Sequence, residues 1–241
     1  MKIIQLKNKK VLPMSKMFPF ITETWNPLAG ECPHNCSYCW AKKLIKDKPT
    51  LRAKYQGQYR IDEKQINKKF KPNAFVFVCD MLDLFAANVP MMAVQKILNK
   101  IAAQPDVTFL ILTKNPRYAW LMELPKNVVI GATIESDCDH LVSEAPKVLD
   151  RLQAMQDIDH LRKFVSIEPI MRFSDDFIKY LLSIKPEFVA VGYDNYKNGL
   201  DEPTLERTEE LINTLEAVGI KVYRKTIREP VLKFKNKEGK E

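Results

Sequence analysis

Seven runs of four to seven residues with strand character recur along the chain, most of them apolar and the first alternating β-branched and bulky residues: Ile21–Trp25, Ala74–Cys79, Val107–Leu112, Val128–Ile134, Lys163–Ile167, Phe188–Gly192 and Ile220–Tyr223. Phe75-Val76-Phe77-Val78 and Phe109-Leu110-Ile111-Leu112 are apolar at every position. That is the pattern of strands covered on both faces. Segments of helical character lie between the runs. Asn88 offers a cap and Pro90 a first turn for a helix whose Met91, Val94, Leu98 and Ile101 share one face. Asn115-Pro116 opens a short helix through Trp120 and Leu121. A helical region is expected from Asp137, broken at Pro146 and resumed through Leu149 and Leu152. Ser174 is placed to cap a helix carrying Phe177, Ile178, Leu181 and Leu182. A last helix spans Pro203–Val218, with Leu205, Leu211, Ile212, Leu215 and Val218 inward and Gly219 as its stop. Alternation of this kind gives a parallel α/β sheet, open or curved into a barrel. Periodicity does not separate those two forms.

A chain of 241 residues with 46% hydrophobic and 28% charged residues can bury a sizeable core. There is no Gly/Ser-rich linker and no abrupt shift in composition. One domain is therefore expected over residues 21–230. An arm over 1–20, broken by Pro13 and Pro19, precedes it, and a charged tail over 231–241 follows. No apolar run approaches the length of a membrane span, so no membrane partner is expected. The first residues carry no apolar stretch followed by a small-residue cleavage site, which predicts a cytoplasmic protein.

The net charge of +8 is concentrated. Residues 42–71 hold eleven Lys or Arg against Asp47, Asp62 and Glu63, with Tyr55, Tyr59 and Phe70 interleaved. A basic insertion with aromatics can follow a phosphate backbone and stack bases, which makes nucleic acid a possible partner. The other reading is a solvated surface.

Three of the five cysteines fall in the loop 30–40, as Cys32-x3-Cys36-x2-Cys39, just after the first predicted strand. In a reducing compartment such a cluster indicates metal or redox chemistry rather than disulfides. A structural zinc site wants four ligands, and the fourth would have to be His34, Cys79 or Cys138. Cubane iron–sulfur clusters normally take four thiolates. Three leave one iron open to another ligand. His34 reads as exposed or as a hydrogen-bonder of the loop, and Cys138 and His160 as structural or exposed.

In parallel α/β folds ligands bind at the carboxyl ends of the strands. Here those ends run directly into polar residues: Cys79-Asp80-Met81-Leu82-Asp83, Thr113-Lys114-Asn115, Thr133-Ile134-Glu135-Ser136, Ser166-Ile167-Glu168-Pro169 and Gly192-Tyr193-Asp194-Asn195. Each is either a site residue or a rim group satisfied by its neighbours.

The cysteine spacing, with Tyr38 just before the last cysteine and a β/α series following, resembles the radical S-adenosylmethionine (radical SAM) superfamily. Thr24-Trp25-Asn26-Pro27, Met81-Leu82-Asp83-Leu84-Phe85, Leu112-Thr113-Lys114-Asn115-Pro116 and Ser166-Ile167-Glu168-Pro169 resemble, within it, the phage-type Gp37/Gp68 (DUF5131-like) proteins. The likeness runs over roughly residues 20 to 230. It implies a partial (β/α)6-like TIM barrel of parallel strands with outer helices. It implies a 4Fe-4S cluster on Cys32, Cys36 and Cys39, with S-adenosyl-L-methionine on the open iron. One electron from a flavodoxin- or ferredoxin-like donor would cleave that cofactor to a 5′-deoxyadenosyl radical, which abstracts hydrogen from a substrate. By position Tyr38 would pack near the adenine, and Asp80 or Asp83 would reach the amino group. Thr133, Glu135, Ser166 and Glu168 would meet ribose hydroxyls or the carboxylate, and Lys114 would pair with the carboxylate. Cys79 is either a small buried hydrophobe or a hydrogen donor beside the radical. The competing class is a nucleic-acid-binding module with a structural zinc or iron–sulfur site and no catalysis.

Overall fold

The computed structural model describes residues 17–231. Seven strands form one sheet: β1 (Glu23–Trp25), β4 (Phe75–Val78), β5 (Thr108–Thr113), β6 (Val128–Thr133), β7 (Lys163–Ile167), β8 (Phe188–Val191) and β9 (Lys221–Arg224). They lie side by side in chain order and all pair parallel. A small antiparallel pair, β2 (Leu28–Ala29) with β3 (Arg60–Ile61), stands apart. The helices are α1 (Trp40–Asp47), α2 (Pro49–Lys54), α3 (Met91–Ala102), α4 (Pro116–Trp120), α5 (Val148–Asp157), α6 (Phe177–Ile184) and α7 (Leu205–Ala217). Among the described residues no helix is long and apolar enough to cross a membrane.

The pleat sorts the core into two layers, because successive strand residues face opposite ways. Val76, Val78, Ile111, Ile130, Val165, Ile167, Val189 and Val191 point outward. They pack against Val94 and Leu98 of α3, Leu152 and Met155 of α5, Phe177 and Leu181 of α6, and Leu211 and Leu215 of α7. Phe77, Leu110, Val129, Phe164, Phe188 and Ala190 form a separate inner cluster, completed by Phe18 with Phe20 beside it. Among the described residues no helix covers this inner layer; side chains preceding β1 fill it.

Phe20 reveals the curvature. Its ring lies 5.0 Å from Phe75 of β4 and 4.8 Å from Tyr223 of β9. In a flat sheet those strands, five places apart, would be separated by about 24 Å. One phenyl ring touches both, so the sheet curls around it as a partial barrel. β1 and β9 are not hydrogen-bonded to each other, so the ring of strands stays open.

Several boundaries differ from the sequence expectations. The arm expected over 1–20 is in part core: Phe18 is buried against Phe77 and Phe164, while residues 1–16 lie outside the described ones. Of the tail over 231–241, only Val231 is described. Asn88 does not cap α3; Pro90 occupies that position, and Met91 is 51% exposed. The stretch 137–147 is irregular rather than helical, with bends and Leu141 in a left-handed turn at φ 53°, and its backbone pairs with the cysteine loop. Ser174 acts one turn early: its Oγ accepts from the Asp176 N–H, and α6 starts at Phe177. Val218 lies past the end of α7 and is exposed, while Gly219, at φ +86°, stops the helix as expected.

Candidate active site

The cysteine loop leaves β2 at the carboxyl rim of the sheet and enters α1. Gly30 makes the first bend at φ +118°. A Cβ there would meet Gln58 O and Tyr59 Cα at 2.8 Å, so only glycine fits. The basic insertion forms the wall on that side: Gly30 N donates to Lys54 O at 3.0 Å and Glu31 N to Gly57 O at 2.9 Å. The stretch after β6 holds the opposite side. Ser37 N donates to Val142 O at 2.8 Å, Glu144 N to His34 O at 2.7 Å, and Asn35 Nδ2 to Glu144 Oε1 at 2.8 Å. Cys39 caps α1, its Sγ accepting from Lys42 N at 3.4 Å. All five cysteines are free thiols, and those of the loop are half-buried. Burial pushes the Cys32 thiol up to about 12, with Asp83 adding to the effect. Burial also raises Cys36, partly offset by Lys114.

Two buried carboxylates tie the loop to the strand ends. Asp83 follows β4 and is enclosed by donors. His34 Nε2 donates to Oδ2 at 2.7 Å, Thr113 Oγ1 at 3.0 Å and Lys114 N at 2.7 Å, while Phe85 N donates to Oδ1 at 2.9 Å. Burial would raise this carboxyl, but the His34 contact and the other hydrogen bonds hold it below the usual carboxylate range. Asp83 is thus a strut between the cysteine loop and β5. His34 is likewise buried rather than exposed.

Glu135, just past β6, is the second centre and is 1% exposed. Lys114 Nζ and the Tyr38 hydroxyl both donate to its Oε1, and Lys114 Nζ also reaches Tyr38 Oη at 2.5 Å. Arg151 Nη1 donates to Oε2 at 2.7 Å and to Thr133 O at 2.7 Å. Burial alone would raise the Glu135 carboxyl; Lys114 and Arg151, with their hydrogen bonds, bring it to about 2. It therefore stays ionised near neutrality. A cavity of about 210 Å³ opens beside this network, between Arg151, His140 and Met171.

The remaining predicted residues divide. Thr133, Ser166 and Glu168 continue the inward parity of Val129 and Phe164, so they line the concave face above the aromatic layer. Glu168 accepts from Asn195 Nδ2 at 3.3 Å and lies 3.6 Å from Lys225 Nζ. Burial raises its carboxyl, with Lys225 opposing. Asp80 accepts from Asn26 Nδ2. Cys79 sits in a left-handed turn at φ 56° and is 2% exposed within the outer core. That placement matches the small buried hydrophobe of the two expectations for this residue. Among the described residues no three His, Cys, Asp or Glu side chains converge where a single metal ion could sit.

Sequence reasoning missed Arg151, His34 as a partner of Asp83, and Tyr59. Arg151 carried a readable signal. It lies between Val148, Leu152 and Met155 on the apolar face of α5, where a charge requires a buried partner.

These features define an α/β partial barrel with a three-cysteine loop at the carboxyl rim of its strands. Residues 16–191 match the family described as "Protein of unknown function (DUF5131)", and the chain belongs to that family. No curated protein matches it. Its fold is similar to solved structures of spore photoproduct lyase. One mutant is 12% identical with a TM-score of 0.58, over 90% of this chain and 80% of that one. Another, with bound AdoMet and dinucleoside spore photoproduct, is 12% identical with a TM-score of 0.51, over 84% of this chain. The chain spans 64% of the length of that second protein. At such identities the likeness establishes a shared fold.

Proposed function

We propose that this chain is a radical SAM enzyme whose Cys32, Cys36 and Cys39 hold a 4Fe-4S cluster and whose concave strand ends receive S-adenosyl-L-methionine. The observation that carries the reading is the position of the three-thiol loop, pinned on both sides at the carboxyl rim of a parallel partial barrel. The donor set fits the group. Soft thiolates suit iron–sulfur clusters. Thiols as strongly desolvated as Cys32 and Cys36 gain most from a cationic metal partner. A cubane binds each thiolate through a different iron, so its sulfurs need not converge on one point as they must around zinc.

When bound, the two cofactors supply one-electron cleavage of the sulfonium sulfur–carbon bond and hydrogen abstraction from a substrate. The chain's own part is to hold and shape. Asp83 and His34 anchor the cysteine loop to β5. Glu135 gathers Tyr38, Lys114 and Arg151 into one block, so the segment between Cys36 and Cys39 is fixed from two strand ends. Thr133, Ser166 and Glu168 present polar groups inward, where ribose hydroxyls and an amino-acid moiety need partners.

We extend the reading to a nucleic acid or nucleotide substrate and a flavodoxin- or ferredoxin-like electron donor. The exposed lysines of the insertion support the first. Its aromatics do not: Tyr55 is buried, and Phe70 packs edge-on against Trp25 and Phe109.

The test is anaerobic reconstitution, reduction with dithionite, addition of S-adenosylmethionine and assay for 5′-deoxyadenosine. The product is expected from the wild type and not from Cys36→Ala, which should also lose iron. A fully loaded wild type that yields none with any reductant overturns the catalytic reading and leaves the structural-metal module.

A further inference from the structure

Among the described residues two buried side-chain polar atoms have no hydrogen-bond partner, Tyr59 Oη and Arg151 Nε. Arg151 is otherwise engaged through Nη1. The Tyr59 hydroxyl has no well-formed hydrogen bond, its one polar partner within reach being the Cys32 sulfur, and a buried hydroxyl so placed is uncommon in native proteins. Its position suggests what is missing. In the β2–β3 pair Ala29 faces Arg60, so Gly30 faces Tyr59 one step further on. Gly30 has no Cβ, and that space brings the Tyr59 backbone against the start of the cysteine loop. From there the hydroxyl neighbours the Cys32 sulfur, with Asp83 and Cys79 the next groups around it. The ring itself packs against the outer core, so its direction is fixed.

We infer that Tyr59 is a positioning residue of the cluster, its O–H reserved for the Cys32 thiolate or an adjacent cluster sulfur. The inference rests on the cluster reading above. A thiolate accepts what a neutral thiol accepts only weakly, which accounts for a donor left unsatisfied beside a free thiol. Hydrogen bonds to the sulfurs are a lever by which a protein sets cluster potential. A donor stabilises the more negative, reduced state, so Tyr59 makes the cluster easier to reduce. The basic insertion thereby acquires a role that its charge did not indicate: it delivers one buried donor.

The experiment compares wild type with Tyr59→Phe, which keeps the ring and removes only the O–H. Two readouts are independent of turnover. In the metal-free protein the variant should unfold at nearly the same denaturant concentration, since a neutral thiol is only a weak acceptor for the hydroxyl it loses. In the reconstituted protein iron and sulfide content should match, and an electron-paramagnetic-resonance redox titration should show reduction disfavoured about tenfold, which for one electron is about 59 mV more negative. Equal potentials in two fully loaded proteins overturn the inference while leaving the cluster reading intact. Loss of iron from a folded variant also overturns it, moving Tyr59 from tuning to assembly. A wild type that binds no iron refutes the cluster reading itself.

Discussion

Replacing Glu135 by Gln tests the charge network that fixes Tyr38 inside the cysteine loop. The change keeps size and one acceptor oxygen but removes the charge that Lys114 and Arg151 share. Both cations are themselves nearly buried. A carboxyl moved from 4.5 to about 2 corresponds to about 3 kcal/mol at roughly 1.4 kcal/mol per unit. That agrees with the ~3–5 kcal/mol typical of breaking a buried pair by removing one partner. The pH dependence gives the sharper check. The folded-state pKa lies below the unfolded one, so the stabilisation is fully present above pH 4.5 and is lost as pH falls towards 2. The gap between wild type and Glu135→Gln should be about 3 kcal/mol at pH 7 and shrink to less than half of that at pH 3. Every other carboxylate is common to both proteins and cancels in the difference. Urea unfolding of the metal-free proteins from pH 7 to pH 3 measures it. A gap that stays constant over that range, or that is absent at pH 7, refutes the argument that Glu135 acts through its charge.

Phe18→Ala should cost about 3–5 kcal/mol in urea unfolding, because the ring is buried between Phe77 and Phe164 in the inner layer. An arm merely lying on the surface would lose less than about 0.5 kcal/mol. Changing the exposed Lys64, Lys69 and Lys71 to Ala should weaken single-stranded nucleic-acid binding and flatten its salt dependence by about 0.7 for each phosphate no longer neutralised. Unchanged affinity and slope would remove the insertion from substrate binding.

The parallel sheet was legible because its signal is local, whereas its curvature was implied only by the family resemblance. β4 and β5 are apolar at nearly every position, and such strands need cover on both faces. The sequence could not say what covers the inner one. Phe18 and Phe20 do so, and they belong to a proline-broken segment that reads as a loose lead-in. Only closure of the sheet brings their rings to strands far along the chain, and no local pattern encodes that. The same limit explains residues 137–147. Their composition suits a helix, but hydrogen bonds to Ser37 and His34 outweigh that weak preference.

At the site, the cysteines were singled out by their spacing, and Thr133, Ser166 and Glu168 by their place at the strand ends, both properties of short stretches. Partnership is a property of the assembled fold. Asp83 and Glu135 read alike in sequence, as acids beyond strand ends. Assembly surrounds each with donors from the cysteine loop and β5, and Glu135 also with Arg151 from α5. The consequence is mechanical. A loop of eleven residues with few apolar anchors would otherwise be free to move. Two ionised carboxylates in the interior cost desolvation that their partners must offset. Here the partners hold both carboxyls below their ordinary range. The electrostatics that rigidify the loop should therefore weaken as pH falls from 4.5 towards 2, and amide hydrogen exchange in the loop should rise there before exchange in the outer core does; equal rises in both would refute the argument.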